Sequence, residues 1–267
     1  MKIPLKHQIQ VAVATLVTLL MNILADAIPL NGQTTAEISD RFDVYFVPAG
    51  FTFLIWGVIY LGLIAFAYYQ SRPEQAENSR LKSISGLYVY SCVANIAWLF
   101  FWHYNLFALS LVAMLSLLVF LILIHLRLHP DKTSSRGIEK WVVDIPFKIY
   151  LGWICVATIA NFTDVLSYYH WAGKGVEPIT WAQIMLAVGM LLAIIFYLAR
   201  KDLVVPSVFI WAYIGIGVKF KVIQQLSGSA WAMAILIAFM IFALDLGKKI
   251  SAGSEIPPPG LSGNDRS

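Results

Sequence analysis

Apolar residues in this chain run in long continuous blocks and do not alternate with polar ones. Each of eight such blocks is close to the roughly 20 residues that a helix needs to cross a bilayer core about 30 Å thick. The blocks cover residues 11–30, 47–69, 84–102, 106–126, 145–168, 179–199, 203–219 and 229–247. Continuous blocks argue against an outer-membrane barrel, whose strands alternate in polarity. The pattern predicts an all-α, polytopic membrane bundle of about eight transmembrane helices.

Composition agrees with a membrane protein. Of the 267 residues, 59% are hydrophobic and 13% are charged, whereas a soluble domain carries about 25% charged residues. So little polar surface could not cover a soluble particle of this size. The net charge of +4 comes from basic residues in loops, and no basic and aromatic run indicates a nucleic-acid partner. Membrane lipids are therefore the expected surroundings, and no nucleic acid is expected.

Positive charges are divided unevenly between the two sides of such a bundle. If the N-terminus lies inside, fifteen of the nineteen Lys and Arg residues fall on the inner side. Cytoplasmic loops carry the excess of Lys and Arg, so the bias predicts an even number of spans with both termini cytoplasmic. The membrane would be a plasma, thylakoid or other organellar membrane. The first span and Ala25-Asp26-Ala27 also fit a signal peptide, but we expect this span to be retained.

Polar and aromatic residues recur at helical spacing inside four of the predicted spans. The stripes comprise Asn22 and Asp26; Trp56 and Tyr60; Asn95, Trp98 and Trp102; and Tyr150, Trp153, Ala157, Asn161 and Asp164. Because polar groups are costly at membrane depth, four stripes that converge in the outer half predict a cavity. Aromatic faces with a few amides suit a flat, largely apolar ligand.

Each of these residues also has a structural interpretation. Membrane asparagines often bond only a neighbouring helix. Tryptophans near span ends form an interfacial belt, which we expect for Trp102, Trp171, Trp181 and Trp231. The outer-face histidines His103 and His170 could ligate a haem iron, but an interfacial histidine is more often solvated.

Three motifs in this order carry a resemblance to a known family. Residues 48–60 read PAGFTFLIWGVIY, residues 95–98 read NIAW, and residues 150–153 read YLGW with Asn161 eight residues later. These resemble motifs of the second, third and fifth helices of the translocator-protein family, the tryptophan-rich sensory proteins (TspO/MBR). The resemblance covers roughly residues 8–170.

The resemblance implies a five-helix bundle that binds porphyrins, and in some members sterols, under a loop between its first two helices. It places seven residues around the pocket: Trp56, Tyr60, Asn95, Trp98, Tyr150, Trp153 and Asn161. We add Asp164 from the fifth-span stripe, and residues 31–46 would form the lid. Gly50 and Val165 stand where many members have Trp, which removes aromatic surface from the pocket.

Three regions of the chain follow. Residues 1–175 would form the TspO-like membrane domain, residues 176–249 a three-helix membrane extension, and residues 250–267 a disordered cytoplasmic tail. The tail contains the run Pro257-Pro258-Pro259-Gly260, which cannot build a core.

The favoured function is that of a sensory or regulatory membrane protein that binds a tetrapyrrole-like ligand. No cofactor is obligatory, although a porphyrin or haem is a possible ligand, and no metal site is expected. A transporter is the main alternative, with Asp26, Asp164 and Lys148 on a substrate or proton path. A structural partner of a larger membrane complex, or a homodimer, is another. We expect no enzyme, because catalytic motifs are missing. Asp164 is expected to pair with Arg41 when the lid closes.

Overall fold

The helices lie in the order that the sequence predicts. The computed structural model describes residues 6–128, 137–171 and 175–253, and within these ranges the chain forms α-helices and short helical turns without strands. The helices are α1 (Lys6–Ala27), α2 (Thr35–Ser39), α3 (Ile55–Ser71), α4 (Ser79–His103), α5 (Phe107–Leu128), α6 (Ile145–Tyr168), α7 (Pro178–Arg200), α8 (Val204–Lys219) and α9 (Gln224–Gly253). A 3₁₀ turn, Gly50–Leu54, leads into α3, and a π-helical turn, Lys140–Asp144, leads into α6.

Within the described ranges, seven helices are long and apolar enough to cross a membrane. They correspond to α1, α3 with its preceding turn, α4, α5, α6 with its preceding turn, α7 and α9. The chain is therefore an integral, multi-pass membrane protein. The remaining predicted span, α8, is apolar but has only 16 residues, which gives a length of about 24 Å. It is shorter than the expected hydrocarbon core.

Contacts between helix ends define two ends of the bundle. At one end the Gln8 amide donates to the Gln70 carbonyl at 2.6 Å, and Lys148 forms an ion pair with Asp202 at 2.7 Å. This end therefore holds the start of α1, the end of α3, the start of α6 and the connection from α7 to α8. At the opposite end, Lys219 lies 3.7 Å from Asp40 in the loop between α1 and α3. The short α8 thus runs from one end of the bundle to the other.

A hairpin joins α4 to α5, as the short polar break at residues 103–105 predicts. At its other end, α4 is capped by the Asn78 side chain, which accepts hydrogen bonds from the backbone N–H groups of Arg80 and Leu81. Asn105 turns the chain with φ of 60°, a left-handed conformation that Asn tolerates. Two long helices can therefore pack side by side with almost no connecting loop.

The fifth span, α6, lies at the centre of the bundle and contacts α3, α5 and α8. Its close approach to α8 depends on Gly152, where an added Cβ would lie 2.9 Å from Cβ of Val208. Small residues allow such close backbone contact in membranes. The three C-terminal helices therefore pack onto the first five spans, α1 and α3–α6, mainly through the contact of α8 with α6.

The last helix continues beyond its predicted boundary. α9 runs to Gly253, so residues 250–253 of the predicted tail are helical. The rest of that range, 254–267, lies outside the described residues.

Candidate functional site

A cavity of about 560 Å³ lies within the first five spans, at the end of the bundle that holds the loop between α1 and α3. This volume falls within the roughly 300–1,000 Å³ of ordinary small-molecule sites. Side chains from α1, α3, α4, α5 and α6 form its walls, and residues 34–39 with Val47 and Pro48 close it. Its aromatic lining residues are Phe53, Trp56, Tyr60, Trp98, Trp102 and Trp153.

The aromatic rings form two differently arranged walls. On α4, Trp98 and Trp102 stack with their centroids 5.8 Å apart and their planes 19° from parallel. On the other side, Trp153 of α6 meets Trp56 edge-on at 6.4 Å and Phe53 edge-on at 5.6 Å. Both arrangements suit the charge distribution of aromatic rings. The cavity is therefore lined by aromatic rings on α4 and by a second group on α3, α6 and the turn before α3.

Six of the eight predicted site residues line this cavity. They are Trp56, Tyr60, Trp98, Trp153, Asn161 and Asp164. The other two, Asn95 and Tyr150, are outside the lining and bond each other at 3.2 Å. Asn95 also accepts a hydrogen bond of 2.7 Å from Asn22, which does line the cavity. Asn95 and Tyr150 thus position a wall residue.

Hydrogen bonds fix one polar wall residue and leave two others unpaired. The Asn161 carbonyl oxygen accepts from Trp98 Nε1 at 3.2 Å, and its amide donates to the Ser110 hydroxyl at 3.2 Å. Oδ1 of Asp164 and Nε1 of Trp153 are buried and have no hydrogen-bond partner in the described part of the chain. Both residues belong to the cavity lining, and an unpaired buried polar group is costly.

The predicted lid folds over the cavity mouth and is held from within by α2. The Thr34 hydroxyl accepts from the Glu37 backbone N–H at 3.2 Å, and a Glu37 carboxylate oxygen accepts from the Thr34 N–H at 2.7 Å. These reciprocal bonds form a capping box. The Thr34 N–H and the Thr34 hydroxyl both donate to the Glu37 carboxylate, which favours its charged form and lowers the pKa of Glu37 below its ordinary value of 4.5. The lid is also tied to α1, since the Thr35 N–H donates to Asp26 at 3.1 Å.

Two expectations about the end of α4 are wrong. Trp102, expected in the interfacial belt, is 3% exposed and lines the cavity, where its Nε1 donates to the Thr35 carbonyl at 3.3 Å. His103, expected to be solvated, is fully buried, and its Nδ1 lies 2.8 Å from the Leu99 carbonyl. The cause is the lid, which covers this helix end: the Asn31 amide donates to the His103 carbonyl.

The expected pair between Arg41 and Asp164 is also wrong. Arg41 donates to the Asn105 side chain at 2.5 Å and lies over the ring of Phe107. Nor does Lys148 join the two cavity carboxylates on a common path, because it pairs with Asp202 at the opposite end of the bundle.

One of the C-terminal helices, α8, is hydrogen-bonded to a segment of the cavity wall, which the sequence did not indicate. On α8, Trp211 Nε1 donates to the Thr52 carbonyl at 2.9 Å, and the Gly215 carbonyl accepts from the Ala49 N–H at 3.1 Å. The segment that they hold, residues 47–54, supplies Val47, Pro48 and Phe53 to the cavity. One wall of the cavity therefore depends on α8.

A smaller cleft of about 330 Å³ lies between the same loop and the start of α7. Its lining includes Asp43, Tyr45, Trp171 and Trp181, and none of the predicted site residues. Trp171 and Trp181 meet edge-on at 4.9 Å, and their place at the end of the bundle agrees with the expected interfacial belt.

Comparison with known proteins identifies the family. A family model for TSPO-like proteins matches residues 8–243, which is most of the chain. The chain belongs to the TSPO-like protein family. The match includes α7, α8 and most of α9. It therefore extends well beyond residues 48–161, which contain the three motifs that resemble the family. Members of this family are generally not enzymes. Neither the curated proteins nor the solved structures give a match.

Proposed function

We propose that this TSPO-like protein is a sensory or regulatory membrane protein that binds a flat, largely apolar ligand, such as a tetrapyrrole, in the cavity under α2. The observation that carries the proposal is the aromatic lining of the cavity, with Trp98 and Trp102 on α4 and Trp56 and Trp153 on α3 and α6. A planar molecule can stack on such surfaces while its edge reaches Asp164.

The cavity favours binding over a transport path. Its lining extends from the lid to the middle of the bundle, and Lys148, which the transport hypothesis places on the path, is paired with Asp202 at the other end. The lid also has its own hydrogen bonds to α1 and α4, as expected of a cover that opens to admit a ligand. Following the charge bias, we place both termini in the cytoplasm and the cavity mouth on the outer side.

Ligand-induced quenching of tryptophan fluorescence tests the proposal. The probe is octaethylporphyrin, a tetrapyrrole without carboxylates, titrated into the purified full-length protein. We expect quenching, and we expect Trp153→Ala to weaken binding roughly threefold to tenfold, because lost aromatic stacking costs about 0.5–1.5 kcal/mol beyond the buried area.

Trp231→Ala is the matched control. Trp231 packs on Gly217 between α9 and α8, away from the cavity, so this variant should bind the porphyrin like the unaltered protein. Equal losses in both variants would contradict the proposal, because they would indicate a general loss of stability. Porphyrin movement across reconstituted vesicles only under a pH gradient would instead support a transporter.

A further inference from the structure

The charges around the cavity have one sign. Two carboxylates, Asp26 and Asp164, belong to its lining, and no described lining residue is Lys, Arg or His. Asp26 is exposed and accepts from the Thr35 backbone N–H. Asp164 is 4% exposed, and its Oδ1 has no hydrogen-bond partner in the described part of the chain.

The basic groups nearest to this end of the bundle are directed elsewhere. Lys219 of α8 is near enough to interact electrostatically with Asp164, but its Nζ lies 3.7 Å from Asp40 and over the ring of Phe220. Arg41 of the lid donates to Asn105. His103 of α4 is turned to the carbonyl of its own helix. None of these side chains belongs to the cavity lining, so no residue in the described part of the chain places a cation within the cavity.

We infer that the ligand of this cavity is a flat aromatic cation, such as a protonated heterocyclic amine, and that Asp164 is its counter-ion. This inference rests on the proposed function and adds the charge of the ligand. A buried carboxylate is costly without a partner, and a positively charged nitrogen beside the Asp164 carboxylate offsets that cost.

The aromatic walls favour the same charge. The faces of Trp, Tyr and Phe rings carry partial negative charge and attract cations, with Trp the strongest. Four tryptophans line this cavity: Trp56, Trp98, Trp102 and Trp153. A ligand bearing carboxylates would instead place negative charge beside Asp164, where no described lining residue is basic, and like charges repel. The surroundings thus select against anions as well as for cations.

Three flat three-ring probes of similar shape and different charge test the inference. They are 9-aminoacridine, protonated at neutral pH; acridine, uncharged at pH 7.5; and anthracene-9-carboxylate. Binding is measured on the full-length protein in nanodiscs of zwitterionic lipid, with empty discs subtracted. We expect 9-aminoacridine to bind about tenfold or more tightly than acridine, which is typical of one charge-assisted hydrogen bond, and the carboxylate to bind most weakly.

Substitutions at Asp164 test whether this residue causes the preference for the cationic probe. Asp164→Asn should remove the preference for 9-aminoacridine over acridine, and Asp164→Glu should retain it. Asp43→Asn, at the same end of the bundle but outside this cavity, is the matched control and should leave the preference unchanged.

The outcomes separate the inference from the proposed function. Equal binding of the three probes, or strongest binding of the carboxylate, would overturn the inference and leave the proposed function standing. Failure of every probe, including octaethylporphyrin, would overturn both. Should Asp164→Asn not fold, the probe series on the unaltered protein and on Asp164→Glu still decides the question.

Discussion

The ion pair between Lys148 and Asp202 should contribute much more to stability than an exposed pair of the same length. Lys148 Nζ lies 2.7 Å from the Asp202 carboxylate, and their side chains are 14% and 3% exposed. Asp202 also accepts from the Val204 N–H at the start of α8, so the pair joins α6 to the C-terminal helices. Removing Lys148 leaves Asp202 buried without its cation.

The expected magnitude follows from that burial. Breaking a buried pair by removing one partner costs about 3–5 kcal/mol. The pair between Lys82 and Glu77 has a similar length, 2.6 Å, but its side chains are 38% and 78% exposed, and such pairs contribute less than about 1 kcal/mol. Lys148→Met should therefore lower the unfolding temperature clearly, and Lys82→Met should barely change it.

The two native cysteines provide the assay. Cys92 and Cys155 are each 4% exposed, so a thiol-reactive dye that fluoresces on reaction reports their exposure as the protein is heated. Asp202→Asn added to Lys148→Met removes the unpaired charge and should recover much of the loss. Equal unfolding temperatures for the two lysine variants would refute the reasoning.

Three other measurements address the topology, the cavity wall and the lid. A cysteine at Val222, 82% exposed between α8 and α9, should react with an impermeant maleimide on intact cells, whereas one at Glu74 should be protected; the reverse would invert the topology. Gly215→Ala places a Cβ against residues 48 and 52 and should destabilise the protein, whereas Gly57→Ala meets open space and should not; equal thermal stabilities would contradict this packing. Because the pKa of Glu37 is lowered in the fold, the capping box should stabilise the lid fully above the ordinary value of 4.5 and be lost as the pH falls through the lowered pKa. Hydrogen exchange of residues 34–39 should then rise with acid relative to the intrinsic rate, and an unchanged protection would argue against the box.

Helical periodicity predicted six of the eight site residues as neighbours in the cavity lining, because residues on one face of a helix recur at a regular spacing in the sequence. Residues three and four apart share a face, so Trp153, Asn161 and Asp164 could be placed together from spacing alone. Trp102 belongs to such a stripe, but its position at a helix end also fits an interfacial belt. Only the lid decides between these positions, and a loop that folds over a helix end leaves no periodic signal.

Long-range backbone contacts were beyond prediction for a different reason. The contact of Trp211 with Thr52 joins positions 159 residues apart, and the acceptor is a backbone carbonyl that every residue possesses. The same holds for the bond between Ala49 and Gly215. The role of α8 in the cavity wall is therefore visible only in three dimensions.

The shared wall has a thermodynamic consequence for how this protein can pass on information. Residues 47–54 are hydrogen-bonded to α8. A ligand that displaces Phe53 would therefore weaken the contact between this segment and α8, and a ligand that packs on Phe53 without displacing it would strengthen that contact. Coupling between two sites is reciprocal. Whatever docks on α7–α9 and moves α8 must alter affinity inside the cavity by the same factor by which occupancy of the cavity alters docking.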